Sequence, residues 1–172
     1  AGDEFCLLAF HEQVPEACVF TSDAAQVRAW AAELEAGGGT ALCDALLTGL
    51  AMTKRAHNGR RAVLVLSDGM ENASAAHWKA VRRAALETDA ALYVVSLPDW
   101  EDVEGWRALQ LRELAEETGG RRLAARNAAE LPAVMEKLDV RLQYVLAFVP
   151  REGLEDKPRH AVRVRLRGDA AR

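Results

Sequence analysis

Two stretches of unbroken apolar character constrain this chain most. Residues 62–67 read AVLVLS and residues 92–97 read LYVVSL. A strand with one wet face alternates apolar and polar residues, because successive side chains point to opposite faces. A run that is apolar throughout needs cover on both faces. That is the situation of a strand inside a parallel sheet layered by helices. Between the two runs, Trp78, Val81 and Ala85 recur at helical spacing, and Ser74 stands where a cap for a helix over 75–87 belongs. Strand, helix, strand is a βαβ unit, whose crossover is expected to be right-handed.

The alternation continues in both directions. Downstream, a helix over 106–118 turns Leu111, Leu114, Ala115 and Thr118 inward and stops at Gly119-Gly120. A short strand follows over 121–125. A helix over 129–141 carries Leu131, Val134, Met135 and Leu138, with Pro132 tolerated in its first turn. Upstream, a helix over 41–56 places Leu42, Ala45, Leu46, Gly49, Leu50 and Thr53 on one face and ends at Asn58-Gly59. Residues 4–10 and 17–20 read as an antiparallel hairpin turning at His11-Glu12-Gln13. A helix over 24–35 is capped by Asp23 and buries Val27, Trp30, Ala31 and Leu34. The sum is a Rossmann-like three-layer α/β/α fold, mostly parallel, with an antiparallel edge. Residues 144–149 and 161–167 read as two strands of a C-terminal β-hairpin. The expected organisation is an α/β domain over 1–142 and a hairpin extension over 143–172 packed on it.

Composition narrows the function. The chain has 172 residues, half of them hydrophobic and 28% charged, which suits one globular domain. No apolar run approaches the ~18 residues of a membrane helix. The net charge of −4 argues against a nucleic-acid partner held by overall charge. Arg163, Arg165 and Arg167 alternate along the last strand and read as the solvated guard of a sheet edge. His11, His57, His77 and His160 make no H-x-x-x-H or H-E-x-x-H pair. G-x-S-x-G, G-x-G-x-x-G and the phosphate-loop motif are absent. These absences weigh against the alternative of a small hydrolase-like or nucleotide-handling enzyme. Cys6, Cys18 and Cys43 are odd in number and lack a C-x-x-C spacing, which points to three buried thiols. Cys6 and Cys18 fall on neighbouring strands, and whether they face each other depends on a register the sequence leaves open.

Chemistry in an open α/β sheet collects at the carboxyl ends of its strands. Two polar clusters map there: Gly38-Gly39-Thr40, and Ser67-Asp68-Gly69 with Glu71 and Asn72 just beyond. A hydroxyl, a carboxylate and flexible glycines can build an oxygen-ligand cation site of the kind Mg²⁺ prefers. The plainer alternative is that Thr40 caps the helix over 41–56 and Asp68 caps a turn.

Gly38-Gly39-Thr40-Ala41-Leu42, followed by a buried strand ending Leu66-Ser67-Asp68-Gly69, resembles the von Willebrand factor type A domain. The order of elements resembles it over nearly the whole chain. The tail, with Gln143-Tyr144-Val145-Leu146 and Pro150, resembles a bacterial subgroup. The resemblance implies a non-catalytic protein-binding module with a divalent cation, such as Mg²⁺, in a metal-ion-dependent adhesion site. An acidic group of the partner protein would complete the coordination. Thr40 and Asp68 match two of the ligands, and Asp44, Glu71 and Asn72 are possible helpers. The family's Asp-x-Ser-x-Ser motif is absent. The resemblance therefore implies that the first β-α unit, on the order of 30–40 residues, is missing. The site is then partial, and this chain alone is expected to hold Mg²⁺ weakly or not at all. A metal-independent scaffold is the second alternative. The resemblance leans toward a bacterial cell envelope or secreted setting.

Overall fold

The structure is a computed structural model that describes residues 2–35, 37–67, 69–96 and 106–138. The expectations for Asp68, the loop at 98–105, the end of the last helix and the tail strands lie outside those residues. The chain divides into two units, Ala1–Leu142 and Gln143–Arg172, and every described residue belongs to the first.

The elements run in chain order as β1 (Phe5–Cys6), β2 (Phe20–Thr21), α1 (Ala24–Ala32), α2 (Leu42–Thr53), β3 (Arg61–Ser67), α3 (Trp78–Leu86), β4 (Ala90–Ser96), α4 (Trp106–Glu117), β5 (Arg121–Ala124) and α5 (Leu131–Met135). The two apolar runs are β3 and β4, and they pair in parallel from Arg61 opposite Ala90 to Ser67 opposite Ser96. β5 joins the other edge of β4, also in parallel, from Tyr93 opposite Arg121 to Ser96 opposite Ala124. β4 is therefore the central strand of the three, and it is buried along its whole length, its terminal Ser96 included.

Alternation along the strands assigns two faces. Val63 and Val65 of β3 and Leu92 and Val94 of β4 meet Leu42, Leu46 and Leu50 of α2, Val81 and Ala85 of α3, and Leu111 and Leu114 of α4. Leu64, Val95 and Leu123 point the other way and meet Leu131 and Val134 at α5. Helices thus lie on both faces, as the apolar runs demand. The inward faces predicted for α2, α3 and α4 are the buried ones. Gly120 packs so closely under β4 that a side chain there would collide with the Leu92 carbonyl, which explains the glycine stop after α4.

Three expectations need correction. Among the described residues the antiparallel pair is not joined to the edge of the parallel sheet. It forms its own two-stranded sheet, with Phe5 opposite Thr21 and Cys6 opposite Phe20. Its strands are two residues each, because the apolar residues after Cys6 leave the ladder and Phe10 packs against the main core instead. Second, Cys6 and Cys18 are a disulfide, with Cα atoms 5.7 Å apart. Cys6 lies opposite Phe20, and Cys18 precedes Phe20 by two residues, so the register brings both sulfurs to one side. Cys43 is buried and takes no part in a disulfide, in line with the sequence reading. Third, α3 begins at Trp78, with His77 at its cap position and no side-chain cap. Ser74 is three residues too early to serve, and its hydroxyl instead donates to Glu71 and accepts the Asp44 N–H.

α1 also packs more thinly than its pattern suggests. Asp23 caps it, accepting the Ala25 N–H at 2.8 Å. Val27 and Trp30 are half-buried, but Ala31 and Leu34 are exposed.

Candidate functional site

Parallel strands carry their loops at their carboxyl ends, and β3 ends at Ser67. The residues beyond it, 69–76, lie against the segment 39–44 that enters α2. The two segments are stitched by hydrogen bonds in both directions. The Asn72 side chain accepts the Thr40 N–H at 2.8 Å. The Thr40 carbonyl accepts N–H groups from Asn72 at 3.0 Å and Ala73 at 3.2 Å.

The start of a helix leaves backbone N–H groups without partners inside the helix. At α2 they are met from across the site. Glu71 accepts the Cys43 N–H at 2.7 Å, and the Ser74 hydroxyl accepts the Asp44 N–H at 3.2 Å. Asp44 returns the favour to the opposite loop, one oxygen accepting Ala75 N–H and the other Ala76 N–H, both at 2.9 Å. Glu71 also holds its own loop, accepting the Ser74 N–H at 3.0 Å and the Ser74 hydroxyl at 2.6 Å. Burial pushes the Glu71 carboxyl up. The hydrogen bonds from Ser74 and Cys43 together outweigh that and hold it below the ordinary carboxylate range.

A second loop closes the site from the other side. The His11 carbonyl accepts the Ala41 N–H at 2.8 Å. The Glu12 carboxylate accepts the Gly39 N–H at 2.8 Å, and this bond lowers its affinity for a proton. Three consecutive N–H groups, at residues 39, 40 and 41, therefore have three separate acceptors. Gly38 sits at φ +75°, and a side chain there would collide with the Glu12 carboxylate. The positive φ is what favours glycine, since the Glu12 carboxylate is the far end of a flexible side chain and could swing aside.

The structure thus brings Thr40, Asp44, Glu71 and Asn72 together, while Asp68 lies outside the described residues. Thr40 does not cap α2 through its side chain. Ala41 holds the cap position without a side-chain bond, and Glu71 and Ser74 do the capping. The Thr40 hydroxyl makes no hydrogen bond to a described residue. Asp44, Glu71 and Asn72 each spend oxygens on backbone N–H groups, so a cation ligated by any of them would share that oxygen with a donor. Among the described residues, no three His, Cys, Asp or Glu side chains cluster as a metal site. Mg²⁺ takes a near-octahedral set of oxygens. The described donors do not make that set by themselves. Nothing local in the sequence marks Glu12 and His11 as part of the site. They lie 27 or more residues before their partners, in a turn whose polar residues suit any exposed hairpin.

The described histidines, His11, His57 and His77, are all exposed. No described helix is long and apolar enough to cross a membrane.

No protein-family model matches the sequence, and no curated protein matches it. Solved structures do. The chain is similar to a von Willebrand factor type A structure from Catenulispora acidiphila, at 20% identity and a TM-score of 0.63, over 78% of this chain. It spans only 33% of that chain's length. It is also similar to the conserved hypothetical protein BatB from Bacteroides thetaiotaomicron, at 17% identity and a TM-score of 0.54, over 79% of this chain and 78% of that one. The parallel sheet, the helices on both its faces and these likenesses agree: this chain has the von Willebrand factor type A fold.

Proposed function

We propose that the chain is a non-catalytic protein-binding module whose contact face is the loop cluster around Thr40. The observation that supports this most is the bracing of residues 39–41. Their three N–H groups are taken by Glu12, Asn72 and His11, while the Thr40 hydroxyl is left without a described partner. A loop held this firmly presents its remaining groups at little ordering cost, which favours binding.

Thr40 and Asp68 are the two cation ligands of this reading. Asp44, Glu71 and Asn72 serve the framework first. The site is therefore incomplete in this chain, and Mg²⁺ binds weakly or not at all. An acidic group on a protein partner is the counterpart a complete cation site would attract. Nucleic acid is not the partner, given the net charge of −4. The Cys6–Cys18 disulfide favours an oxidising setting, the cell envelope or the exterior.

Titration calorimetry of the 172-residue chain with MgCl₂ tests the incomplete site. The expected result is a dissociation constant weaker than about 10 µM. A tighter constant that disappears in Thr40→Ala and Asp68→Ala would overturn it. Panning a random peptide library on the immobilised chain tests the binding face. Captured peptides are expected to lose affinity for Thr40→Ala and to keep it in EDTA. Peptides that bind Thr40→Ala as well as the parent would remove the face from consideration.

A further inference from the structure

We propose that the Cys6–Cys18 disulfide is a redox latch on the Thr40 loop. The disulfide joins the two ends of residues 7–17. That loop carries the two acceptors that hold the Thr40 segment, the His11 carbonyl and the Glu12 carboxylate. It also carries Phe10, which packs on the main core.

Among the described residues the ends of this loop have few other ties to each other, although Glu4, two residues before Cys6, accepts the Asn58 N–H at 2.7 Å and so anchors one end to the main body. β1 and β2 pair over two residues each, and so short a hairpin is marginal in water. α1, which follows, has no buried residue. A covalent link between residues 6 and 18 removes the cost of closing the loop, and breaking it restores that cost. The Gly37–Gly39 stretch has no regular structure to fall back on. With Glu12 and His11 gone, Asn72 alone would hold the 39–41 segment by its N–H groups.

The chemistry is ordinary exchange. A dithiol reductant attacks one sulfur, the S–S bond breaks, and the mixed disulfide resolves as the reductant closes on itself. Two electrons and two protons end on the Cys6 and Cys18 thiols, and the dithiol leaves as a cyclic disulfide. Both cysteines are half-buried, so the reductant has access. The latch stands whether or not a cation binds beside Thr40.

Backbone amide order parameters, measured by NMR on the full chain before and after dithiothreitol, test the proposal. Thiols counted in denaturant should rise from one, Cys43, to three. The Gly39 and Ala41 amides should fall from the rigid range near 0.85 to below about 0.6, while Val94 in β4 stays rigid. Cys6→Ser/Cys18→Ser should show the reduced pattern without reductant. Glu12→Ala should loosen Gly39 with the disulfide intact. The latch is overturned if three thiols are counted before reduction. It is overturned if Gly39 and Ala41 stay rigid in the reduced protein or if Gly39 stays rigid in Glu12→Ala. It is also overturned if Val94 loosens along with them, since the disulfide would then be a staple of the whole fold.

Discussion

β3 and β4 are nearly the same strand written twice, and the protein treats them differently. Each has seven residues, and each is apolar along almost its whole length. β4 is buried at every position, whereas β3 is buried only at Val65 and Ser67. Position explains the difference. β4 has a strand on either side, while β3 pairs only with β4 among the described residues. Cover differs as well. On one face α2 lies against β3 and α4 against β4, within one core that α3 shares. On the other face the described cover is the small cluster around Val95, Ala125 and Val134, and Leu66 is 46% exposed. A uniform apolar run therefore records what a strand is able to bury. What buries it depends on the neighbours.

The sharpest way to break this comparison is Leu92→Ala. Leu92 is fully buried between β4's neighbours and under α4. Removing its side chain should cost about 2–5 kcal/mol, from lost transfer energy and the cavity left behind. Urea unfolding would show a lower midpoint with an unchanged slope. A loss below about 1 kcal/mol would mean that β4 is not the packed centre of the sheet.

The next effect lies at the carboxyl end of β3, where the loop after the strand is tied to α2. Glu71→Ala removes the acceptor of the Cys43 N–H and of both Ser74 donors. A lost cap of this kind costs about 1–2 kcal/mol at pH 7. Its pH dependence has a definite sign. The folded carboxyl sits below its unfolded value, so its contribution is full above the unfolded pKa and is lost as pH falls through the folded one. The gap between parent and variant should therefore narrow from about pH 4.3 downward. Urea unfolding at a series of pH values checks this, and a gap constant down to pH 3 would show that Glu71 is not the anchor.

The fold was more legible than the site, for a physical reason. Burial imposes periodicity, and periodicity is written along the chain. Leu111, Leu114 and Ala115, or Val81 and Ala85, announce their helices and their inward faces through spacing alone. The strands of the hairpin are shorter than the sequence suggests, because apolar residues 7–10 have the composition of a strand while Phe10 is drawn to the main core. The site rests on contacts between distant residues. Residue type and place in the chain single out Thr40, Asp44, Glu71 and Asn72, but not what they do. A carboxylate that caps a helix across a loop and one that binds a cation are the same letter. Glu12 was invisible because its partner is a backbone N–H, and every residue but proline has one.

The smallest expected effect tests the comparison from its open side. Leu66 has the same apolar character as Leu92 but is nearly half exposed. Leu66→Ala should change stability by no more than about 0.5 kcal/mol, the usual range for a surface substitution. The result cuts two ways. A small loss confirms that the outer face of β3 contributes little to the stability of this chain. A loss above about 2 kcal/mol would place Leu66 among fully buried leucines. That face would then be covered by residues beyond those described, and the asymmetry between β3 and β4 would disappear. The two leucines are best compared in the same urea series, since the difference between variants is better determined than either absolute value.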